Sequence, residues 1–359
     1  MLFDLHPKDR PKSLYGRDDD LSNIINHISN RRWITILGPR MVGKTSLVRA
    51  AKFILERQEF TVLYLNLWGS KSMTGLLDGI IHALHDSSKL YRNVKKYLKQ
   101  LNGLTVSPLG ITIKGNSKPV SMTWQILSLL GNHTDNLVII MDEVQELSDV
   151  SSHLVKLLAN IFSTYSNINF CFTGSQSGLT KSLHSPGPGS PLYGRSPAML
   201  TIAPFDTNES IGFLNAGFKE HGIQIPLNDV GEVVNRFGGI PGWLTFYGNS
   251  VVVSKLSHKQ ALHKTERESF KTAKQTLKHY LEGRNREEHL ITLKAIAIQA
   301  RWSEIRRALE ANIGKPINDG SLKKIIDALL AAFLVEKTNS TYNIIDPVIR
   351  RYLLSGRTL

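Results

Sequence analysis

The feature that most constrains this chain is a glycine-bounded loop, residues 38–46 (GPRMVGKTS), between an apolar run and an amphipathic segment. The run before it, residues 33–37 (WITIL), predicts a short buried strand, and apolar residues three and four apart after it predict a helix. Glycines let successive backbone N–H groups turn inward around phosphate oxygens, and a helix N-terminus adds partial positive charge. The segment therefore predicts a strand, a phosphate-binding loop and a helix, in that order.

The loop has the spacing G-x-x-x-x-G-K-[ST], which gives two of its residues individual roles. We expect Lys44 to reach the β- and γ-phosphates of a nucleotide and the Thr45 hydroxyl to bind Mg²⁺. The candidate nucleotide-binding residues of this loop are Gly38, Pro39, Arg40, Met41, Val42, Gly43, Lys44, Thr45 and Ser46.

A second apolar run, residues 138–141 (VIIM), ends in the acidic pair Asp142 and Glu143. An all-apolar run is typical of a central parallel strand that is buried on both faces. Such a pair also occurs at ordinary strand ends, but here it follows the phosphate loop by about 100 residues, with a strand predicted between them. We therefore expect Asp142 to hold Mg²⁺ through water and Glu143 to polarise the attacking water, as in P-loop ATPases.

A further predicted strand, residues 168–173 (INFCFT), ends in the polar loop GSQSG. A polar residue at this tip can sense the γ-phosphate, and Ser175 is the candidate, with Thr173 and Gln176 as alternatives. An ordinary polar loop is equally open. Cys171 is the single cysteine of the chain, and its apolar neighbours predict a buried, unreactive thiol.

The tetrapeptide LYGR occurs twice, at residues 14–17 and 192–195, with unrelated flanks that argue against an internal duplication. The first copy precedes three consecutive aspartates, so Arg17 has a local acidic partner available. The second copy lies in a segment rich in proline and glycine, which excludes a helix or a central strand. Arg195 is therefore predicted on a loop.

Composition limits the class of protein. A chain of 359 residues with 41% hydrophobic residues is long enough for two or three domains. No apolar run approaches the roughly 20 residues that span a bilayer, and the N-terminus lacks a signal-peptide core, so we expect a cytoplasmic protein without membrane contact. The formal net charge is +14, of which residues 251–359 carry +9 (20 basic against 11 acidic residues).

The basic C-terminal third reads as three amphipathic helices followed by two short strands, after a helix or helix pair over residues 254–282. Three helices and a hairpin outline a winged helix, whose third helix would expose Ser321, Lys323 and Lys324 to a DNA major groove. Binding of a protein, or packing on the nucleotide domain, stays open. A further hairpin is predicted near residues 104–119, either to recognise a partner or to cover the sheet edge.

Taken in order along the chain, these segments resemble the archaeal ATPase family of the STAND class, which is related to AAA+ and Orc/Cdc6 proteins. The resemblance rests on LYGRDDDL, GPRMVGKTS, LVIIMDEVQEL, FTGSQSG, PLYGRSPAM, GGIPGWL and the C-terminal pattern. Ordinary AAA+ proteins carry an arginine in the helical lid that has no clear equivalent here, which makes a hexameric motor less favoured.

The resemblance implies roles for residues outside the phosphate loop. Tyr15, Gly16 and Arg17 would lie near the adenine, although Arg17 can equally pair with its acidic neighbours. Pro241, in the G-x-P element of the lid, would lie against the adenine. Arg195 would respond to the γ-phosphate, in its own chain or across a subunit boundary; an ordinary loop arginine is the alternative.

The sequence thus predicts an α/β fold, an ASCE P-loop NTPase parallel sheet with a helical lid, followed by a C-terminal winged-helix domain. The predicted boundaries are 1–205 for the ATPase core, 206–283 for the lid and 284–359 for the winged helix. The predicted function is a STAND-type switch that binds ATP or ADP with Mg²⁺, hydrolyses ATP slowly and controls the winged helix. Two alternatives stay open: an ATP-regulated DNA-binding protein resembling Orc/Cdc6, and a nucleotide-dependent scaffold for a protein partner.

Overall fold

The computed structural model describes residues 1–101, 103–107, 110–113, 118–174 and 178–359. The chain forms two compact units. We call them the sheet unit (Lys8–Leu37 and Lys44–Ile202) and the helical unit (Met1–Pro7, Gly38–Gly43 and Ala203–Leu359). The predicted lid and winged-helix segments both lie in the helical unit, so the boundary between them stays a prediction.

The sheet unit alternates strands and helices. Its elements are a 3-10 turn (Pro11–Ser13), α1 (Asp18–Ser29), β1 (Ile34–Leu37), α2 (Lys44–Arg57), β2 (Thr61–Asn66), α3 (Met73–Asp86), α4 (Ser88–Leu98), β3 (Leu104–Ser107), β4 (Gly110–Ile113), α5 (Pro119–His133), β5 (Leu137–Asp142), a 3-10 helix (Val144–Val150), α6 (Ser151–Thr164), β6 (Ile168–Gly174), α7 (Gly178–His184) and β7 (Ala198–Thr201).

Five of these strands form one parallel sheet in the order β2-β5-β6-β1-β7. Every residue of β1, β5 and β6 is buried, which explains why these strands read as continuous apolar runs. Cys171 lies within β6, and burial raises the pKa of its thiol well above the usual range. The prediction of a buried, unreactive cysteine is confirmed.

Trp33 anchors the amino ends of the central strands. Its ring packs edge-on against Phe170 and Phe172, and its indole Nε1 donates a hydrogen bond to the Ile168 carbonyl at 3.0 Å. Because this polar atom is satisfied inside the core, the large side chain can be buried at 4% exposure without cost from its N–H group.

The segment between β2 and β5 contains α3, α4, α5 and the predicted hairpin. β3 and β4 pair antiparallel, with Leu104 opposite Ile113. Residues 108, 109 and 114–117 of the predicted hairpin segment lie outside the described residues. Leu104 and Ile111 are buried and join the core of the sheet unit.

The helical unit contains eight helices and a small sheet among its described residues. They are α8 (Thr207–Lys219), α9 (Leu227–Phe237), α10 (Pro241–Val252), α11 (His258–Leu281), α12 (Arg286–Ala297), β8 (Ala300–Arg301), α13 (Trp302–Ile313), α14 (Asp319–Ala331), β9 (Val335–Thr338), β10 (Thr341–Ile344) and α15 (Pro347–Leu354). The three strands pair antiparallel in the order β8-β10-β9.

Side-chain caps set the helix starts in this unit. Asp206 and Glu209 form a capping box at α8, Ser257 and Gln260 form one at α11, and the Asn318 side chain accepts the Ser321 N–H at α14. The predicted helix or helix pair over residues 254–282 is the single 24-residue helix α11.

The N-terminal segment joins the core of the helical unit through Phe3. The Phe3 ring packs against Phe213 and Phe218 at centroid distances of 5.8 and 4.9 Å. Gly217 and Gly248 make room for it, since a Cβ at either position would lie 2.3–2.4 Å from the ring. Across the described residues, no helix is both long and apolar enough to span a bilayer.

Candidate functional site

The carboxyl ends of the parallel strands bring the predicted phosphate loop and acidic pair to one edge of the sheet. The loop follows β1, and α2 begins at Lys44. Asp142 is the last residue of β5, and Gly174 is the last residue of β6, the strand between β5 and β1. Because all these strands run in one direction, their ends meet where nucleotides bind in open α/β sheets.

The start of α2 has the properties of an anion site. Its 14 residues point the positive end of the helix dipole at the loop. Lys44 is only 6% exposed, and Thr45 beside it is half-buried. Gly43 has φ +102°, a conformation that side-chain-bearing residues rarely adopt, and a Cβ built there would meet nothing within 4 Å. Glycine at this position thus permits a backbone conformation that a side chain would strain, as a phosphate-binding loop requires.

The first part of the loop, Gly38–Gly43, groups with the helical unit. The Gly242 N–H at the start of α10 donates to the Met41 carbonyl at 3.0 Å. Arg40 donates through Nη1 to the Thr276 hydroxyl of α11 at 3.4 Å. Pro241, predicted against the adenine, is the first residue of α10 and directly precedes Gly242. The predicted phosphate loop and two helices of the predicted lid are thus in direct contact.

Asp142 is 2% exposed and both of its carboxylate oxygens accept hydrogen bonds. The Tyr64 hydroxyl of β2 donates to Oδ2 at 2.6 Å, and the Thr173 hydroxyl of β6 donates to Oδ1. Burial, and then the negative charge of Asp142, raise the pKa of Tyr64 well above its usual range. Tyr64 therefore stays a neutral donor that orients the carboxylate.

Glu143 follows in the left-handed conformation, with φ +60°. Its N–H donates to Thr173 Oγ1 at 3.2 Å, and its carboxylate accepts a hydrogen bond from Gln145 Nε2. A Cβ at Gly174 would lie 2.2 Å from Gln145 Oε1, so the glycine makes room for this amide. Thr173 thus joins the two acidic residues, and Gln145 holds the side chain predicted to polarise water.

The acidic pair and the loop have a donor set that suits Mg²⁺. Among the described residues, no three His, Cys, Asp or Glu side chains are placed to hold a metal ion by themselves. Mg²⁺ sites in nucleotide-binding proteins use one or two protein oxygens together with phosphates and waters. The Thr45 hydroxyl and the Asp142 carboxylate fit this type of site.

Three further residues near the phosphate loop and the tip of β6 were predicted as site residues or as alternatives: Ser46, Ser175 and Gln176. Ser175 and Gln176 lie outside the described residues. Ser46 accepts a hydrogen bond from the Lys8 N–H at 3.0 Å, so its hydroxyl ties the N-terminal segment to the first turn of α2.

Arg17 directly precedes α1, and Tyr15 and Gly16 lead into it. The Arg17 guanidinium pairs with Asp20 at 3.3 Å, and its side chain is 12% exposed. The acidic start of α1 therefore supplies the local partner that was the alternative for this arginine.

Arg195 lies near the amino ends of the parallel strands, whereas the acidic pair lies at their carboxyl ends. Its Nη1 donates to the Ser163 hydroxyl at 2.6 Å, and its guanidinium lies 5.8 Å from the Phe162 ring centroid, both at the end of α6. It precedes β7, whose first residue Ala198 pairs with Ile34 at the start of β1. A four-residue strand of about 13 Å separates those amino ends from the phosphate loop. The structure does not bring Arg195 to the acidic pair of its own chain.

Sequence reasoning missed Tyr64 and Gln145. In the sequence, Tyr64 looks like any other residue of a strand. Only the register of β2 on β5, with Tyr64 opposite Ile140, brings its hydroxyl to Asp142. A polar side chain at the position two residues after Glu143 was the one visible signal for Gln145.

Comparison with known proteins assigns the chain to a family. Residues 14–246, more than half of the chain, match the family described as an ATPase domain predominantly from Archaea. The chain belongs to this archaeal ATPase family. Among proteins with curated descriptions, none matches the sequence.

Solved structures resemble this archaeal ATPase along its length. A Walker-type ATPase of Pyrococcus abyssi has a TM-score of 0.79 and 27% identity, covering 99% of this chain and 100% of that one. The Aeropyrum pernix ORC2 protein, solved as ADPNP–ADP complexes, has a TM-score of 0.64 and 14% identity, covering 99% and 97%. The Aeropyrum pernix ORC1 protein in complex with DNA has 0.51 and 13%, covering 98% and 95%. The predicted α/β fold of a P-loop ATPase related to Orc/Cdc6 is confirmed.

Proposed function

We propose that this archaeal ATPase is a STAND-type switch. It binds ATP with Mg²⁺ and hydrolyses it slowly, and the nucleotide that is bound determines the conformation of the helical unit. The observation that carries the proposal is the hydrogen bond from Gly242 of α10 to the Met41 carbonyl in the phosphate loop. A loop that must fit phosphates cannot move without affecting the helix bonded to it. Occupancy of the loop is therefore transmitted to α10 and, through Arg40, to α11.

The catalytic part of the proposal assigns each residue a step. Lys44 and the N-terminus of α2 hold the phosphates, and Thr45 and Asp142 would hold Mg²⁺, which supplies charge stabilisation for phosphoryl transfer. Glu143 orients and polarises the attacking water. Gln145 binds one oxygen of the Glu143 carboxylate, which restrains this side chain and leaves its other oxygen to accept a hydrogen bond from water.

The remaining site residues keep their proposed roles on the strength of the family resemblance. Tyr15, Gly16 and Pro241 are proposed beside the adenine, and Ser175 as a sensor of the γ-phosphate. For Arg195 we retain only the form that acts across a subunit boundary, because its position before β7 separates it from the phosphate loop of its own chain.

Paired substitutions test the chemistry. Glu143→Gln should keep ATP binding and stop turnover, whereas Lys44→Ala should weaken nucleotide binding. Glu146→Gln is the matched control: this carboxylate lies in the 3-10 helix that Glu143 precedes, and it accepts the Gly69 N–H at 3.3 Å. Unchanged hydrolysis in Glu143→Gln, or normal affinity in Lys44→Ala, would contradict the assignment.

Hydrogen exchange tests the switch. Amides of α10 and α11 should exchange differently with ADP than with a slowly hydrolysed ATP analogue, and Glu143→Gln with ATP should match the analogue. Identical exchange in both nucleotides would contradict a switch. A nucleotide-dependent difference in a protein without measurable turnover would instead favour the scaffold.

A second candidate function is ATP-regulated binding of duplex DNA. The order α12, β8, α13, α14, β9 and β10 supports the predicted winged helix, and Ser321, Lys323 and Lys324 are exposed on α14. The Aeropyrum pernix ORC1 protein of similar fold was solved with DNA. Replacing both lysines with glutamine should weaken duplex binding, and equal binding before and after the change would remove α14 from this role.

A further inference from the structure

The sheet unit contains several stretches without an acidic residue, and one of them is more basic than the others. Residues 87–134 contain seven Lys and Arg and no Asp or Glu, whereas the overall frequency of 30 acidic residues in 359 predicts about four in 48 positions. The first 250 residues carry 24 basic and 19 acidic residues in total, so outside this stretch they have 17 against 19 and a net charge of −2. Its seven basic residues exceed the six of residues 21–55 and the three of residues 150–205, the two other long stretches without an acidic residue.

Four of the seven cations form a stripe along α4 and its C-cap residue, which we call the α4 stripe: Lys89, Arg92, Lys96 and Lys99. All four are exposed, and their spacing of three, four and three residues keeps them on one helix face. Lys89 to Lys99 spans about 15 Å along the axis. A solvated helix face normally mixes both signs of charge, and this one does not.

The opposite face of α4 packs into the core of the sheet unit. Leu90, Val94 and Leu98 have 3%, 0% and 0% exposure and belong to the core of the sheet unit. The stripe is therefore held rigidly outward and cannot rotate into the protein.

Nothing among the described residues neutralises the α4 stripe. In the part of the chain that the structure describes, no carboxylate forms an ion pair with any of its four cations. Arg92 donates through Nε to the Ser88 carbonyl at 3.2 Å, which leaves its guanidinium charge uncompensated. Lys96 lies 4.6 Å from the Tyr97 ring centroid, a contact that orients the ammonium without cancelling its charge.

We propose that the α4 stripe binds the sugar-phosphate backbone of duplex DNA without reading its sequence. A rigid row of four cations over about 15 Å matches the regular negative charge of a duplex, which carries one charge per about 1.7 Å of axis. This surface goes beyond the proposed ATP switch and does not rest on it.

Two other polyanions fit the same surface less well. Single strands are usually held by bases stacked on exposed aromatic rings, but Tyr97 is already stacked on His133 at 3.7 Å. An anionic membrane requires an apolar helix face to insert beside the charges, and the apolar face of α4 is buried in the protein core.

The test measures how duplex affinity depends on salt. Fluorescence anisotropy with full-length protein and a labelled duplex of about 30 base pairs, between about 50 and 200 mM KCl, gives the slope of log K against log salt. Changing all four stripe residues to glutamine should reduce the magnitude of this slope by about 3 to 4, because each phosphate contact contributes about 0.9. Glutamine has nearly the helix propensity of lysine, so α4 should still form.

Two further variants keep the result interpretable. The double change Lys96→Gln with Lys99→Gln should reduce the slope by about half as much. The control changes Arg32, Arg57, Lys156 and Lys181 to glutamine, which removes the same charge from exposed positions scattered over the sheet unit. The control should retain most of the wild-type slope.

The proposal is overturned if the stripe variant and the control reduce the slope by the same amount. It is also overturned if wild-type protein fails to bind duplex at low salt. Tighter binding to a single strand of the same length, to phosphatidylserine vesicles or to polyglutamate would also reject duplex DNA as the ligand. ATP binding and hydrolysis measured on the same stripe variant should be normal. If the stripe variant lost ATP binding and hydrolysis as well as duplex binding, the substitutions would have disrupted the sheet unit, which would contradict the predicted selective effect.

Discussion

At the scale of single residues, the acidic pair is held by two hydroxyl groups from neighbouring strands. Tyr64 and Thr173 each donate to one oxygen of Asp142, and Thr173 also accepts the Glu143 N–H. A buried carboxylate without donors would be strongly penalised, and these two hydrogen bonds offset part of the cost of burying Asp142 at 2% exposure. The same bonds fix the direction in which its free lone pairs can meet a metal.

Tyr64→Phe should weaken metal binding. Removing the hydroxyl leaves Oδ2 of Asp142 without its donor, and loss of such supporting hydrogen bonds typically reduces metal affinity or activity by about 10- to 100-fold. The direct measurement is Mn²⁺ affinity of the ADP-bound protein by electron paramagnetic resonance. ADP affinity without metal should not change.

Tyr91→Phe is the matched control for this prediction. The Tyr91 hydroxyl is buried but has no hydrogen-bond partner among the described residues, so its removal should leave Mn²⁺ affinity unchanged. Equal effects of the two substitutions would show that Tyr64 acts only through packing.

At the scale of elements, the position of Arg195 follows from strand direction. A loop that leads into a parallel strand must lie at the amino edge of the sheet, and the active site of such sheets lies at the carboxyl edge. The sequence contained this information once residues 198–201 were assigned to the sheet, because Arg195 precedes them. Composition showed a loop but could not show which edge it occupied.

Arg195→Ala should leave hydrolysis unchanged in dilute protein, where each chain acts alone. If Arg195 acts across a subunit boundary, specific activity of the wild type should rise with protein concentration, and the variant should lose only that rise. Ser163→Ala removes the hydroxyl that Arg195 binds and serves as the control for local packing. A loss of about tenfold or more in dilute protein would contradict the structure, since a removed phosphate-contacting arginine has effects of this size or larger.

Gly242→Ala should weaken nucleotide binding through the phosphate loop. A Cβ at Gly242 would lie 2.6 Å from Met41 Cε and 3.1 Å from the Met41 carbonyl oxygen, so the loop must shift. We expect ATP affinity to fall by at least about tenfold, equivalent to about 1.4 kcal/mol, as measured by calorimetry.

Gly231→Ala in α9 is the control for that change. A Cβ there meets nothing within 4 Å, and alanine in a helix interior is about 0.5–1 kcal/mol more stable than glycine. Its ATP affinity should equal that of the wild type. Loss of affinity in both variants would indicate a general effect on the helical unit.

The elements that the sequence predicted well are those with strong local patterns. The apolar runs at β5 and β6 and the glycines around Lys44 each favour one conformation by themselves. The hydrogen bonds of Tyr64 and Gln145 depend on register and on packing between distant segments, with Tyr64 and Asp142 separated by 78 positions. Local preference carries no information about such contacts.

At the scale of the whole molecule, charge is distributed by segment. The C-terminal 109 residues carry +9 and residues 87–134 carry +7, so together they exceed the formal net charge of +14 and the rest of the chain is slightly acidic. Counting charge over the C-terminal third identified the first of these regions. The charge of the second can also be counted in the sequence, but only the burial along α4 shows that four of its cations form one outward stripe.

The stability of the protein should also depend on pH through Asp346, the N-cap of α15. Its side chain accepts the Val348 N–H at 2.8 Å, and burial raises its pKa from 3.8 to about 6. The folded state therefore binds the proton more tightly than the unfolded state. The stabilising effect of protonation is complete below about pH 4 and is lost as pH rises through about 6.

Asp346→Asn should remove that loss, because asparagine caps a helix as well as aspartate and does not ionise. The full shift corresponds to about 3 kcal/mol, but the residue is only partly buried by surface area, so we expect a gain of about 1–2 kcal/mol at pH 7.5 and none near pH 4. Urea unfolding at both pH values measures the difference. The exposed N-cap Asp206 supplies the control, since Asp206→Asn should leave stability within about 0.5 kcal/mol at either pH. A destabilised Asp346→Asn at pH 7.5 would mean that the ionised carboxylate stabilises α15 by more than its burial costs, and the predicted pH dependence would then have the opposite sign.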